Sequence, residues 1–516
     1  MEIINATDGY KLGHHRMYPE GTQMVYSNWT PRSCRYFPEA IEGSVVFGIQ
    51  YFVKKYLIEE FNKWFALPKE EAIKQFAYRV GNFVDLNQVG TKHIEELYDL
   101  GYLPIEIKAL PEGSICPIRV PMMTIQNTLP DFFWLTNYLE TLISCTLWLP
   151  CTSATSARLY KKRLMEHARK TGFPEEVNLG FACHDFSMRG MAGLDAAIIS
   201  GMAHMTSFCG SETIPAIEAV EHYYNADVTK ELVAATVPAT EHSVMCAGGE
   251  EDEIETYRRL INELYPTGII SIVSDTWDFW QVVEKFLPKL KADIMKRDGR
   301  VVIRPDSGDP VDIICGLRTN PHYHTAMKEG KYYCDFNPFM DDDESHYVEV
   351  SEGQYYGAYY MLGKIFGWNT TVNDYRYPST KVGLLYGDSI TLERQRDIYT
   401  RLEGAHMAAC NLVLGIGSFT YQFKSRDSLG FAVKATACTI NGELREIFKH
   451  PKTDDGTKNS LKGLIRVEEE NGKYVAYDQQ DGIQEAGGCL EPVFVDGKLV
   501  RDNSLSEIRE RVNSTL

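Results

Sequence analysis

Residues 301–310 read VVIRPDSGDP. A β-favouring run enters a tight turn that carries Arg304, Asp306 and Ser307, and Pro-Asp-Ser-Gly is itself turn chemistry. Such a turn sets a donor for phosphate beside an acceptor for sugar hydroxyls. It is also a well-formed loop in its own right, and its weight comes from company. CHDFSMRG (183–190), VPATEHS (237–243), IVSDTWD (272–278), LLYGDS (384–389) and LGIGS (414–418) share the same form, an apolar run with a polar tip.

Around these tips short apolar runs alternate with helical periodicity: 178–183 then 192–203, 269–273 then 277–290, 301–303 then a short helix, 382–386 then 392–403, and 412–414. The alternation predicts βα units and a largely parallel sheet closed into a barrel. In barrels of that kind the site lies at the C-terminal ends of the strands, where all these tips fall.

Further out, apolar positions recur at helical spacing over 47–64, 69–84 and 91–97, and strands are predicted at 104–110 and 122–126. An apolar helix at 131–149 ends at Pro150, and a second, 152–171, stops at Gly172 and Pro174. The first is too interrupted, by Asn137 and Glu140, to span a membrane. Residues 319–356, with DDDES at 341–345, read as a surface excursion whose acidic run is solvated or binds a divalent ion. From 431 onward alternation returns, with hairpin turns at NG 441–442, DG 455–456 and DG 496–497. Three parts follow: 1–150, α+β; 151–425, the α/β barrel with its insert at about 319–356; and 426–516.

The chain has 516 residues, 44% hydrophobic and 24% charged, with a formal net charge of −18. That is globular composition with length for two or three cores. So acidic a chain is no partner for nucleic-acid backbone, and an anionic ligand must meet a local basic cluster. Twelve cysteines without a C-x-x-C pair read as reduced thiols, and the N-terminus lacks signal-peptide features, so a cytoplasmic setting is expected.

The candidate cations are Arg32, Arg189, Arg304, Arg426, Lys434 and Lys449; singly each is a surface charge, together they suit a polyphosphate. The carboxylates Asp185, Glu212, Asp275, Asp278, Asp306 and Asp388 can take ribose hydroxyls or Mg²⁺, or simply cap turns. Gly387, Gly415 and Gly417 allow close backbone approach to phosphate. His242, next to Glu241, can act as a base, accept a phosphoryl group or sit as a core histidine. Phe186 and Tyr10 can stack on a flat ring or pack in a core.

Eleven ordered motifs carry a resemblance: ATDGYKLGHH, YP, LPIEIKALPEG, WLTNYLETL, CHDFSMRG, VPATEHS, IVSDTWD, IRPDSGDP, YGDS, SRDSLGFAVK and IFKHPK resemble the nicotinamide phosphoribosyltransferase family from Ala6 to about Arg509. The resemblance implies the type II phosphoribosyltransferase fold, an irregular α/β barrel with a second α/β domain built from N- and C-terminal segments. It also implies a homodimer with active sites at the interface. Phe186 and Tyr10, the latter from the neighbouring subunit, are similar to the pair that sandwiches nicotinamide. Arg189, Arg304, Arg32, Arg426, Lys434 and Lys449 resemble the phosphate binders; Asp306 and Asp388 resemble the ribose-binding positions, with Ser274, Gly387 and Gly417 close by. His242 matches the histidine phosphorylated by ATP, and Glu241 and Asp278 its supporting carboxylates.

The implied reaction joins nicotinamide to phosphoribosyl pyrophosphate, with Mg²⁺ held mainly by the substrate pyrophosphate and ATP as a coupled substrate. Glu212 stands where the family commonly has Asp, and Met188 where many members have Tyr. Ile416 and Ser418 interrupt a stretch that is more glycine-rich in many relatives, and the 319–356 excursion is longer than the family core requires. A nicotinate enzyme would want a cation in place of Glu212; an inactive nucleotide-binding scaffold would dispense with the set of tips.

Overall fold

Six strands lie parallel in the order Gly210–Ser211, Cys183–Asp185, Leu412–Ile416, Val382–Tyr386, Asp298–Arg304 and Thr267–Val273. In the computed structural model, which describes residues 2–338, 346–387, 389–448 and 461–516, residues 235–240 then close the curl. Ala235 bridges to Gly210 and Ala239 to Ser271, both in parallel. Around the resulting ring each strand neighbours the next one in the chain, as repeated βα units demand. Val301, Ile303, Ile272, Leu384 and Leu414 are fully buried, because a parallel sheet is covered on both faces. The outer cover includes helices Leu194–His204, Ile214–Tyr224, Leu287–Lys296, Pro310–Cys315 and Leu392–Gly404.

The strand expected at 178–183 begins later. Asn178 accepts a hydrogen bond from the Gly180 N–H at 2.9 Å and caps a 3-10 turn, Leu179–Phe181, so extension starts only at Cys183.

A seven-stranded sheet, antiparallel at every pairing, packs beside the ring. Its order is Glu443–Glu446, Ala432–Ile440, Thr22–Thr30, Met123–Asn127, Ile105–Ala109, Glu491–Val495 and Lys498–Leu499, so both ends of the chain contribute. Asn441-Gly442 and Asp496-Gly497 make the expected hairpin turns with both residues at positive φ. Asn471-Gly472 makes a third, between Leu464–Glu470 and Lys473–Gln480, while DG 455–456 lies outside the described residues.

The break expected at Pro150 does not occur. Leu135–Thr171 is a single helix of 37 residues with Pro150 inside it. The Thr152 hydroxyl donates to the carbonyls of Trp148 and Leu149 at 2.9 and 3.1 Å, and the Thr155 hydroxyl to Cys151 at 2.6 Å. The carbonyl deprived of its donor by Pro150 is that of Thr146; hydroxyls back-bond to carbonyls on either side of the proline, and Thr146, Leu147, Leu149, Pro150 and Cys151 are buried, so packing holds the helix through it. The helix packs on the sheet strands Thr22–Thr30 and Ala432–Ile440 and also on the ring helices Leu194–His204 and Leu392–Gly404, so one continuous apolar core spans both regions.

The 319–356 insert is not a bare loop. It holds a three-stranded antiparallel sheet, His324–Lys328, Lys331–Asp335 and Val348–Val350, over a small core of Leu317, Cys334 and Val350. Its DDDES run at 341–345 lies outside the described residues. Among those described, no helix is long and apolar enough to cross a membrane.

Candidate active site

Because all strands of the ring run one way, their C-terminal ends form one rim, and successive tips touch. Asp306, after Asp298–Arg304, receives its neighbour's carboxylate: its N–H donates to Asp275 Oδ2 at 2.9 Å. The Gly387 N–H donates to the Pro305 carbonyl at 3.3 Å, and a Cβ on Gly387 would fall 2.0 Å from Asp306 Oδ1, so a side chain there would displace that carboxylate. A Cβ on Gly190 would likewise collide with the Ser418 side chain, which brings the Met188 and Arg189 turn against the tip at Gly417. Arg189 and Met188 are exposed there, and Phe186 is half-buried with its N–H on the Ile416 carbonyl at 2.9 Å.

Arg304 is buried and points across the ring. Its Nη2 donates to the Thr240 carbonyl at 2.6 Å, and its Nε lies 3.9 Å from Asp306 Oδ1. His242 begins a short helix, His242–Gly248, with its side chain 48% exposed. Its Nδ1 lies 3.2 Å from the Thr276 hydroxyl, and its Nε2 is 3.9 Å from both Asp275 Oδ1 and Asp306 Oδ2. One ring nitrogen is therefore oriented while the other faces two carboxylates and open space, a disposition that suits a proton or phosphoryl acceptor.

The carboxylates expected to support His242 are placed otherwise. Glu241 accepts from the Ser243 hydroxyl, and Asp278 caps the following helix by accepting from the Gln281 N–H at 3.0 Å. Asp275 and Asp306 take that position instead. Ser274 is fully buried: its hydroxyl donates to the Ile272 carbonyl at 2.7 Å and accepts from Tyr257 at 2.8 Å, which supports the rim from beneath rather than facing a ligand. Asp185 is equally internal, taking the Ser187 N–H and the Thr213 hydroxyl at 2.9 and 2.8 Å. Asp388 and Lys449 lie outside the described residues.

Glu212, after Gly210–Ser211, has two partners that the sequence reading passed over. His184 Nε2 and the Thr236 hydroxyl both reach its Oε1, at 2.9 and 2.5 Å. Burial alone would raise this carboxyl, but those hydrogen bonds, with the charge of Arg304 behind them, hold it below its ordinary range. His184 lies between buried Cys183 and Asp185, and strand alternation turns it to the opposite face, the one sequence signal that could have singled it out. The His184 and Phe186 rings sit 4.7 Å apart.

The remaining candidate cations gather elsewhere, at one end of the antiparallel sheet. Arg32 Nε donates to the Gly430 carbonyl at 2.8 Å, two residues past strand Thr22–Thr30. Burial and the nearby Arg426 draw the Arg32 guanidinium below its ordinary range, partly offset by Asp427. Lys434 is exposed on the neighbouring strand, opposite Asn28. Tyr10, 66% exposed in a 3-10 turn, has His14 and Lys11 as its ring neighbours and is not brought to Phe186 within one chain.

Comparison with known proteins agrees with this geometry. Residues 181–484 match the nicotinate phosphoribosyltransferase (NAPRTase) family, and residues 2–107 match the nicotinamide phosphoribosyltransferase N-terminal domain. The chain is 46% identical to the nicotinamide phosphoribosyltransferase of Acinetobacter baylyi, over 99% of this chain and 97% of that one. It is 32% identical to that of Mycoplasma pneumoniae, over 90% and 95%. Human nicotinic acid phosphoribosyltransferase shares the fold, with a TM-score of 0.56 at 16% identity over 99% of this chain and 93% of its own. Nicotinate-nucleotide pyrophosphorylase from Pyrococcus furiosus also scores 0.56, at 14% identity over 100% and 95%. Tips that meet on one rim, a matched family across the ring and the nicotinamide-type N-terminal domain lead to one statement: the chain belongs to the nicotinate phosphoribosyltransferase family, among its nicotinamide phosphoribosyltransferase members.

Proposed function

We infer that this chain is a nicotinamide phosphoribosyltransferase of NAD salvage, forming nicotinamide mononucleotide and pyrophosphate from nicotinamide and phosphoribosyl pyrophosphate. The observation that carries the choice of substrate is Glu212. An ionised carboxylate on the rim accepts an amide N–H and repels the carboxylate of nicotinate. Phe186, beside it, offers a face for the pyridine ring, and Asp306 an acceptor for ribose hydroxyls.

The pyridine nitrogen is already nucleophilic, so the protein's part is to hold it near C1 of the ribose and to neutralise the departing pyrophosphate. Arg304 and Arg189 provide charge at the rim. Arg32, Arg426 and Lys434 would supplement it from the sheet of a second subunit in a homodimer, and Tyr10, exposed as it is, would reach Phe186 the same way.

Asp275 Oδ1 is buried and has no hydrogen-bond partner among the described residues, and with Asp306 it could hold Mg²⁺ that arrives on the substrate pyrophosphate. That ion would supply charge neutralisation of the leaving group. His242 Nε2 would attack the γ-phosphorus of ATP, forming a P–N bond as the bond to ADP breaks, and the added charge beside the pyrophosphate site would couple ATP hydrolysis to turnover. A cytoplasmic setting fits these substrates.

The test is mass detection of nicotinamide mononucleotide with nicotinamide, phosphoribosyl pyrophosphate and Mg²⁺, against nicotinate at equal concentration. Faster turnover of nicotinate would overturn the reading.

A further inference from the structure

The Glu212 tip is gripped from both sides of its own strand. Gly210–Ser211 pairs on one side with Cys183–Asp185, which supplies His184, and on the other with Ala235 of the closing segment, next to Thr236. Both donors converge on Oε1, and no hydrogen bond to Oε2 is made among the described residues. His184 is itself held: it is buried, it packs on Phe186, and a Cβ on Gly210 would stand 2.7 Å from its Nδ1, so only glycine leaves room for the ring.

We propose that His184 and Thr236 are positioning residues that set the preference for amide over acid, by saturating one oxygen of Glu212 and presenting the other to the substrate carboxamide. The proposal rests on the reading of Glu212 as the carboxamide acceptor. Glu has one more rotatable bond than Asp, and a longer acid on an open rim would otherwise sample several rotamers. Two donors fixed on adjacent strands remove that freedom before substrate arrives, which is how hydrogen bonding yields specificity rather than mere affinity. Both also stabilise the ionised form, the only form that repels nicotinate and accepts without donating. The charged and titratable groups that bear on Glu212 are His184 and Arg304, both of which favour that form.

The test uses full-length enzyme with His184→Asn, His184→Leu, Thr236→Val and Glu212→Gln variants, measuring kcat and KM for nicotinamide and nicotinate from about pH 3.5 to about pH 8, a range that brackets the ordinary carboxylate range. Removing a donor should raise KM for nicotinamide more than it lowers kcat, and cut the nicotinamide-to-nicotinate ratio of kcat/KM by about tenfold for His184→Leu and about threefold for Thr236→Val. His184→Asn, which keeps an N–H, should recover most of the ratio. The acid limb of nicotinamide kcat/KM should move to higher pH in the Leu and Val variants, because Glu212 then needs a higher pH to ionise. A packing role alone would leave that limb where it is. An unchanged ratio and limb in Thr236→Val and in a folded His184→Leu overturns the proposal. Should His184→Leu fail to fold, Thr236→Val decides alone, since Thr236 is exposed. If Glu212→Gln itself leaves the ratio untouched, the reading of Glu212 has failed rather than the role of its two partners.

Discussion

The parallel ring and the antiparallel sheet display their polar residues in different ways. In the ring, direction does the sorting: every strand delivers its C-terminal residue to the same rim, so Asp275, Asp306, His242 and Glu212 stand on one rim although as many as 94 positions separate them, Glu212 from Asp306. In the sheet, neighbouring strands deliver opposite ends, and Arg32, Arg426 and Lys434 come together through a loop that folds back on a strand end. The rim is mixed and dense with acid, whereas the sheet end is cationic. Under the proposed function, the pair of substrates, a neutral heterocycle and a sugar polyphosphate, would call on both kinds of surface.

If the rim carries the bond-making step, Asp306→Ala should be the heaviest single loss, about 10³-fold in kcat/KM, with the folded state intact by circular dichroism. The sheet can be weakened without touching that step. Lys108 Nζ lies 2.6 Å from Glu485 Oε2, both side chains buried, so Lys108→Met strands a charge and should cost about 3–5 kcal/mol in denaturant unfolding while kcat at low temperature is kept. Were kcat to fall with stability, the two regions would not be separable as drawn.

The sheet-end cations come next. Arg32→Gln with Arg426→Gln should raise KM for phosphoribosyl pyrophosphate about 30-fold, flatten its salt dependence, and leave KM for nicotinamide within about twofold. Equal loss for both substrates would erase the division of labour. His242→Ala is expected to abolish ATP stimulation, a change of about fivefold in kcat/KM at fixed ATP, while slow ATP-independent turnover persists.

The smallest effect sharpens the picture from below. Glu253 is buried, and desolvation with the charges of Asp278 and Glu250 raises its carboxyl to about 7. An acid whose folded pKa lies above its unfolded value binds more protons folded than unfolded, so stability falls as pH rises from about 4.5 through 7. Glu253→Gln should therefore raise Tm by about 2 °C at pH 8 and hardly at all at pH 4.5. A gain equal at both pH values would contradict that account.

Much of the ring was legible in the sequence because parallel strands are apolar throughout and their polar tips follow at once; VVIRPDSGDP shows both halves in ten residues. The seam at 235–240 is legible only through its tip: VPATEHS has the form of the other tips, yet the βα alternation passes over it, because Ala-Thr-Val-Pro-Ala-Thr has little apolar character and is held by one bridge on each side. Pro150 misled for a different reason: propensity ends a helix there, yet the packing of the buried residues on either side carries the helix through. His184 and Thr236 were missed because their meaning lies in a third residue, Glu212, reached only when strands neighbour one another. Asp278 and Ser274 show the converse, residues placed beside the site by motif and used by the fold as a cap and as a prop.

The helix Leu135–Thr171, about 55 Å long at 1.5 Å per residue, belongs to neither region alone. It works as a splint: cut anywhere along it, the polypeptide would leave two halves that each lack a wall. Heat should accordingly melt ring and sheet in one cooperative step, and no protease should release either as a durable fragment.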